Sequence, residues 1–456
     1  MSKNLDIVLV NAPSPHPGSV ISHRIQGITP LGIGYIAEWL KSKGFKVTIL
    51  DFYIDEVTIL DLYKIISELS PRIVAISTTT ETYNTGIRIA SACKKYKEDL
   101  IVFMGGCHVT FQYEDALKTG LVDVIIRHEG EYVVENLCNY YINDAGTLKD
   151  IKGICYLEEG TVVKNIREKF IEDLDSLPII DRKMYNLPKY AIPGAISTSR
   201  GCPGNCIFCA ASALAGGKYR TRSADSIIEE FKYLKSLGMS YVQIVDDTMT
   251  ADLVRLYDFL NKMSKLKLGM TWGCESRVDV MSKDLLKLMK ECGCISLQFG
   301  VEAGSQTMLD CLKKNVTIEQ IRNVFLWARE VEIKTGTCLM IGQPYDTIES
   351  IRDTITFAQE LQSYGAKVVF SVTTPFPGTY LYKNPEKIGI RIMESNFDNY
   401  NTFTPVCDTK SFNRGDIQKL YFDAILELGR SIKDEKTKNR YRIWRDYVKE
   451  KAGVTG

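Results

Sequence analysis

Short apolar runs recur along the first part of the chain, each followed by a segment whose apolar positions repeat at helical spacing. DIVLVNAP, KVTILDF, RIVAIST, LIVFMGG and VDVIIRHEGE supply the runs, and PLGIGYIAEWLKSKGF, ILDLYKIISELS, GIRIASACKKY, YEDALKTG and YVVENLCNYY the helical segments. A strand apolar at every position is covered on both faces, as in a parallel sheet with helices on either side. The alternation predicts a doubly wound, Rossmann-like α/β domain over residues 1–145, with ligands at the carboxyl ends of its strands. Those ends carry small or polar residues: Asn11, Ser77, Thr78, Thr79, Gly105, Gly106, Glu129, Gly130 and Glu131. No GxGxxG follows the first strand, so the dinucleotide reading is weak.

IKGICYLEEGTVVKN reads as a hairpin turning at Gly160, and EDLDSLPIIDRKMYNLPKYAIPG as a proline-bearing linker, which makes 146–190 a connecting segment. A second alternation occupies 191–384, with strands in AISTSRGCP, SYVQIVDD, MTWGCESRVD, CISLQFGVEAGS, TGTCLMIGQP and KVVFSVTTPFPGT. These βα units predict a partial (β/α)6 TIM barrel, active at the carboxyl ends of its strands. Asp246, Asp247, Glu275, Arg277, Gln298, Glu302 and Gln343 gather there. Glu275 and Arg277 share one strand face, where pairing with each other competes with contact to a ligand. Residues 385–456 predict a helical C-terminal region, in which Tyr441, Trp444 and Tyr447 suit a helix docking an aromatic face on the barrel.

Composition narrows the function. The 456 residues exceed a single core. A net charge of +1 offers no field for nucleic acid. No apolar run is long enough for a membrane span, and the chain opens on a strand rather than a signal peptide, so a cytoplasmic protein is expected. In that compartment most of the 13 cysteines should be buried hydrophobes, and only a cluster of them needs a chemical reason.

That cluster is SRGCPGNCIFCAAS, with Cys202, Cys206 and Cys209. Structural zinc takes four ligands, yet no histidine follows residue 128 and no second knuckle lies downstream. A redox pair would leave Cys202 without a role. Three thiolates suit three irons of a 4Fe–4S cluster whose fourth iron is left to another ligand.

The segment resembles the radical SAM superfamily signature CxxxCxΦC, with Phe208 before the last cysteine. YRTRS, DDT, WGCESRVD, FGVEAGS and TPFPGT resemble its cobalamin-associated branch, while IGQPYDT departs from a GLPGET-like turn at Gln343 and Tyr345. The resemblance implies a cluster on the three cysteines and S-adenosylmethionine on the open iron. It makes Phe208, Asp247, Arg277, Gln298 and Glu302 candidate contacts to that molecule or to the substrate. ITPLGIGYIAEWLKSKGFKVTILD, VAISTTT, MGGCHVTFQYEDAL and VDVIIRHEGE are similar to the cobalamin-binding domain that precedes such barrels. By that similarity Ser77, Thr78, Thr79, Gly105, Gly106, His108, Glu129, Gly130 and Glu131 would accept cobalamin. No DxHxxG motif supplies a cobalt ligand. His108, in GGCHVT, either meets the corrin or caps a turn, and His16 and His23 read as surface residues.

The implied activity is cobalamin-dependent radical methylation of an unactivated carbon in a small molecule or peptide, with an electron donor such as flavodoxin or ferredoxin. Rearrangement, cyclisation or redox chemistry with the same cofactors is the alternative, and an iron–sulfur sensor or electron carrier the rival from another class. A methylthiotransferase would need a second cysteine triad in the N-terminal domain. An auxiliary cluster cannot be built from Cys407, the one cysteine beyond Cys338.

Overall fold

The computed structural model describes residues 4–16 and 27–430, with a few positions between 438 and 449. His23, Tyr441, Trp444 and Tyr447 lie outside the described residues. The chain divides into two units, Met1–Pro193 and Gly194–Gly456.

The first unit is built on β1 (Ile7–Asn11), β2 (Val47–Asp51), β3 (Ile73–Ser77), β4 (Ile101–Gly105), β5 (Val124–Ile126), β6 (Ile154–Glu158) and β7 (Thr161–Lys164). Their order is β2-β1-β3-β4-β5-β6-β7. β1 to β5 are parallel, and the reversal of order between β1 and β3 is the switch point of a doubly wound sheet. Ile7, Val8, Leu9 and Val10 are all buried, as are Ile73 through Ile76, which is the two-sided covering that their unbroken apolar runs require. The hairpin is not separate from this sheet. β6 pairs antiparallel with β5, and the linker residues Ile180, Tyr185 and Tyr190 enter the same core. The three-residue β5 would otherwise leave an apolar edge unpaired. Glu159 and Gly160, at φ 50° and 78°, make the two-residue turn between β6 and β7.

The second unit carries β8 (Ala195–Ile196), β9 (Ser199–Arg200), β10 (Arg220–Thr221), β11 (Tyr241–Ile244), β12 (Thr271–Ser276), β13 (Cys294–Glu302), β14 (Lys334–Ile341) and β15 (Lys367–Val372). Six of them form one parallel sheet in sequential order, β8-β11-β12-β13-β14-β15, the partial barrel expected. Val242, Ile244, Trp272, Cys274, Leu297 and Phe299 turn outward under the helices and are buried. Trp272 shows the direction, stacking edge-on with Phe259 of the helix Leu253–Leu266. The alternate positions face inward and are polar or small.

The C-terminal region is not purely helical. β16 (Ile390–Ile392) and β17 (Cys407–Thr409) pair antiparallel, and the helix Arg414–Arg430 then packs on β15 and β14. Among the described residues no helix is long and apolar enough to cross a membrane.

Candidate functional site

The cysteine loop leaves β9 and returns on β10, and the two short strands pair with each other, closing the loop at its base. Asp246, 2% exposed, holds that base from below. Its carboxylate accepts hydrogen bonds from the Thr198 backbone N–H (2.6 Å), the Thr198 hydroxyl and the Ser199 hydroxyl (2.7 Å). Arg255 donates to the carbonyl and hydroxyl oxygens of the same Thr198 (2.9 and 2.8 Å). The middle of the loop is fixed by Ile207, whose N–H donates to Leu312 and whose carbonyl accepts from Leu381. Its side chain packs with Leu312, Met340 and Leu381.

Cys202 and Cys206 border Gly204: a Cβ there would stand 3.4 and 3.9 Å from their sulfurs and 3.2 Å from Arg277 Nη1. The Gly204 N–H donates to Cys202 Sγ and the Ala211 N–H to Cys209 Sγ. Desolvation pushes the Cys209 thiol up to about 11, with the nearby Asp247 carboxylate adding to it. Among the described residues no three His, Cys, Asp or Glu side chains converge as a single-ion site requires. A cluster places each thiolate on its own iron, so the donor set of this loop fits it.

The inner face of the barrel rises toward that loop in layers. Tyr241 donates to Gln243 (2.6 Å) and lies 3.3 Å from the Ser296 hydroxyl, over Gly273, whose Cβ would clash with both Ser296 and Tyr241. Gly336 leaves room for Gln298 in the same way, and Gly300 for Glu302 and Lys314. Higher up, Lys314 Nζ meets Glu302 Oε1 at 2.9 Å, both side chains largely buried, and stands 5.9 Å from the Phe208 ring. Burial opposes the Lys314 ammonium, but Glu302 and the Cys206 sulfur keep it above the ordinary lysine value. Arg277 does not pair with Glu275. It forks onto Asp279 (3.0 and 2.9 Å) and donates to the Lys314 carbonyl (3.0 Å).

Just beyond the strands, Thr248 Oγ1, Gln343 Oε1 and Thr373 Oγ1 are buried without a hydrogen-bond partner. Buried polar atoms are normally satisfied, so this rim suits a ligand with several polar edges, such as S-adenosylmethionine.

In the first unit, Ser77 and Gly105 are paired neighbours at the strand ends, and Gly106 follows at φ 110°. A Cβ on Gly106 would come within 2.1 Å of the Thr78 carbonyl oxygen, so only glycine lets the two ends approach. Ser77, Gly105 and Gly106 are half-buried and Thr79 is exposed, a small-residue edge that fits a bulky ligand lying across it. Thr78 is turned inward, donating to the Gly105 carbonyl, and Gly130 is also buried. Glu131 is buried in the first turn of the helix Glu131–Asn143, and Glu129 accepts from the Ile171 N–H at 2.8 Å. His108 is 1% exposed against the Tyr83 ring, and burial pulls it down to about 3, so it stands neutral in the interior. Asp51 ends β2, where a dinucleotide fold keeps its ribose acid. Here it is buried and accepts from Tyr190 (2.8 Å) and Asn11 (3.2 Å).

Sequence reasoning missed Lys314, Asp246 as a support of the loop, and the three inner-face glycines. Lys314 sits twelve positions beyond Glu302 with a helix between them, and no motif spacing joins the two.

Residues 196–358 match the family model of the Radical SAM superfamily, and residues 20–138 that of the B12 binding domain. An uncharacterized methyltransferase of Pyrococcus horikoshii is 32% identical over 432 residues, which covers 93% of this chain and 92% of that protein. The anaerobic magnesium-protoporphyrin IX monomethyl ester cyclase of Rubrivivax gelatinosus is 28% identical across 85% of this chain and 71% of its own. Among solved structures, the radical S-adenosylmethionine methyltransferase TsrM of Kitasatospora setae, with cobalamin and a 4Fe–4S cluster bound, superposes with a TM-score of 0.77. It is 17% identical, with 99% of each chain covered. The cobalamin-dependent radical enzyme OxsB, with aqua-cobalamin and S-adenosylmethionine bound, gives 0.75 at 17% identity, covering 98% of this chain and 71% of that one. At such identities these two likenesses establish the fold.

Proposed function

This chain belongs to the radical SAM superfamily, in the branch that carries a B12 binding domain, and on that premise we propose that it methylates an unactivated carbon of a small molecule or peptide. The observation that carries the reading is the three-thiol loop set over a polar barrel face, in a chain similar from end to end to a methyltransferase. Cys202, Cys206 and Cys209 would hold the cluster. Asp247, Arg277, Gln298, Glu302 and Phe208, joined by Lys314, would meet S-adenosylmethionine or the substrate. Ser77, Thr79, Gly105 and Gly106 would border cobalamin, with Thr78, His108, Glu129, Gly130 and Glu131 shaping the edge from within.

When bound, the cluster and S-adenosylmethionine supply a 5′-deoxyadenosyl radical, and cobalamin carries the methyl group. The chain's own work is positional. Asp246 and Ile207 fix the loop, and the Glu302–Lys314 pair sets one charged wall beside it. The inner-face glycines keep the lumen open. One-electron reduction would come from a flavodoxin- or ferredoxin-type donor, and the free cysteines suit a reducing, cytoplasmic setting.

The cyclase relative favours a second reading, ring formation with the same cofactors. Anaerobic turnover separates the two. Methylation yields 5′-deoxyadenosine, methionine and S-adenosylhomocysteine together, whereas deoxyadenosine without S-adenosylhomocysteine would sink it and leave radical chemistry standing.

A further inference from the structure

Strand β13 does not end in regular geometry. Its register against β14 slips between Gly300 and Glu302, and the chain passes through Glu302 at φ 72°. The Ala303 N–H donates back to the Val301 carbonyl (2.9 Å), closing a three-residue γ-turn around Glu302. Glycine adopts such a backbone freely, whereas a residue with a Cβ keeps it only when its surroundings enforce it. Gly304, next along, packs against the helix Ile348–Ser363 with its N–H on Thr354 Oγ1 (3.0 Å).

Two side chains grip the turn itself. Lys314 Nζ holds the Glu302 carboxylate at 2.9 Å. Gln343, fully buried, holds the backbone: its Nε2 donates to the carbonyls of Glu302 and Met340, at 3.1 Å each. Gln343 is fixed in turn by its own N–H, which donates to Asp346 (2.8 Å), and Asp346 also accepts from the Ser350 hydroxyl (2.8 Å). This is the position at which IGQPYDT departs from a GLPGET-like turn, where leucine offers no such donor. We propose that Gln343 is a positioning residue for Glu302. Its amide keeps the strained turn closed and so fixes the Glu302 carboxylate in the geometry that meets S-adenosylmethionine. This rests on the reading that Glu302 contacts that molecule. No bond is made or broken; what changes is the fraction of the protein in the binding-competent turn.

The test is anaerobic equilibrium dialysis of S-adenosylmethionine against the reconstituted full-length protein, arranged as a double-mutant cycle. Gln343→Leu should weaken binding about tenfold, as the strained turn relaxes in most molecules. Glu302→Gln should weaken it too, and in that background Gln343→Leu should add less than about a twofold change. Gln343→Met is the second variant if the leucine form does not fold, and Glu302→Gln/Lys314→Met the second background. Gln343 Oε1 has no hydrogen-bond partner, so direct contact with the ligand is the competing account. It predicts that the full tenfold loss persists in the Glu302→Gln background. That persistence would overturn the proposal, as would unaltered affinity in the Gln343→Leu protein. If Glu302→Gln alone binds as tightly as the unaltered protein, the Glu302 contact is refuted, and the proposal falls with it.

Discussion

The two parallel sheets of this chain use their faces in opposite ways. In β1, β3 and β4 the apolar residues point to both sides and are buried on both, so little except the strand ends can meet a ligand. In β11 to β14 the outward residues are covered, while the inward Gln243, Glu275, Gln298 and Cys338 stay partly exposed on a largely polar surface along the strands. The same βα repeat thus produces an edge in one unit and a lumen in the other. A substitution in the first unit should act on the edge or on the core, whereas one on the barrel's inner face can act on chemistry at any height.

Cysteine replacement gives the largest expected contrast. Cys206→Ala should abolish the iron–sulfur absorption of the reconstituted protein while the corrin bands keep their wild-type intensity, and joint loss of both would break the division of labour. Next comes the buried pair. Lys314→Met strands the Glu302 carboxylate and should cost about 3–5 kcal/mol, read from urea unfolding of the apo-protein. Adding Glu302→Gln should recover much of that loss. Gly106→Ala should cost about 3 kcal/mol through its φ and the Thr78 contact. It should also reduce corrin retention without touching the iron content.

The subtlest contrast is in acid, where the two units should respond with opposite sign. His108 is depressed from 6.5 to about 3 by burial, so its contribution to stability is lost as the pH falls below 6.5. Asp346, buried after β14, is raised by desolvation from 3.8 to about 6. Its contribution is full below pH 3.8 and lost as the pH rises to about 6. His108→Phe should remove the first slope and Asp346→Asn the second, in unfolding followed from pH 4 to 7 with a probe in each unit.

What could be read from the sequence follows range. Strand periodicity is local, so both alternations and their polar ends were legible, and so was the cysteine triad, with its spacing inside one loop. The Glu302–Lys314 pair, the Asp246 support and the Glu129–Ile171 contact join segments whose approach only the folded chain decides. The hairpin was visible as a hairpin, but its pairing with β5 depends on the shortness of that strand. β12 ends at Ser276, so Arg277 lies beyond the strand that carries Glu275, and the carboxylate two positions further on, at Asp279, takes the pairing with a bidentate grip.

The grip on Ile207 bears on how the protein matures. Its partners Leu312 and Leu381 lie far downstream, so a chain emerging from the ribosome presents all three thiols well before the residues that pin their loop exist. During that interval the sulfurs belong to a nascent, unsheltered segment, open to oxidation and to stray metals. The loop is pinned only once Leu381 has been made, so oxygen exposure during synthesis should harm cluster yield more than the same exposure afterward.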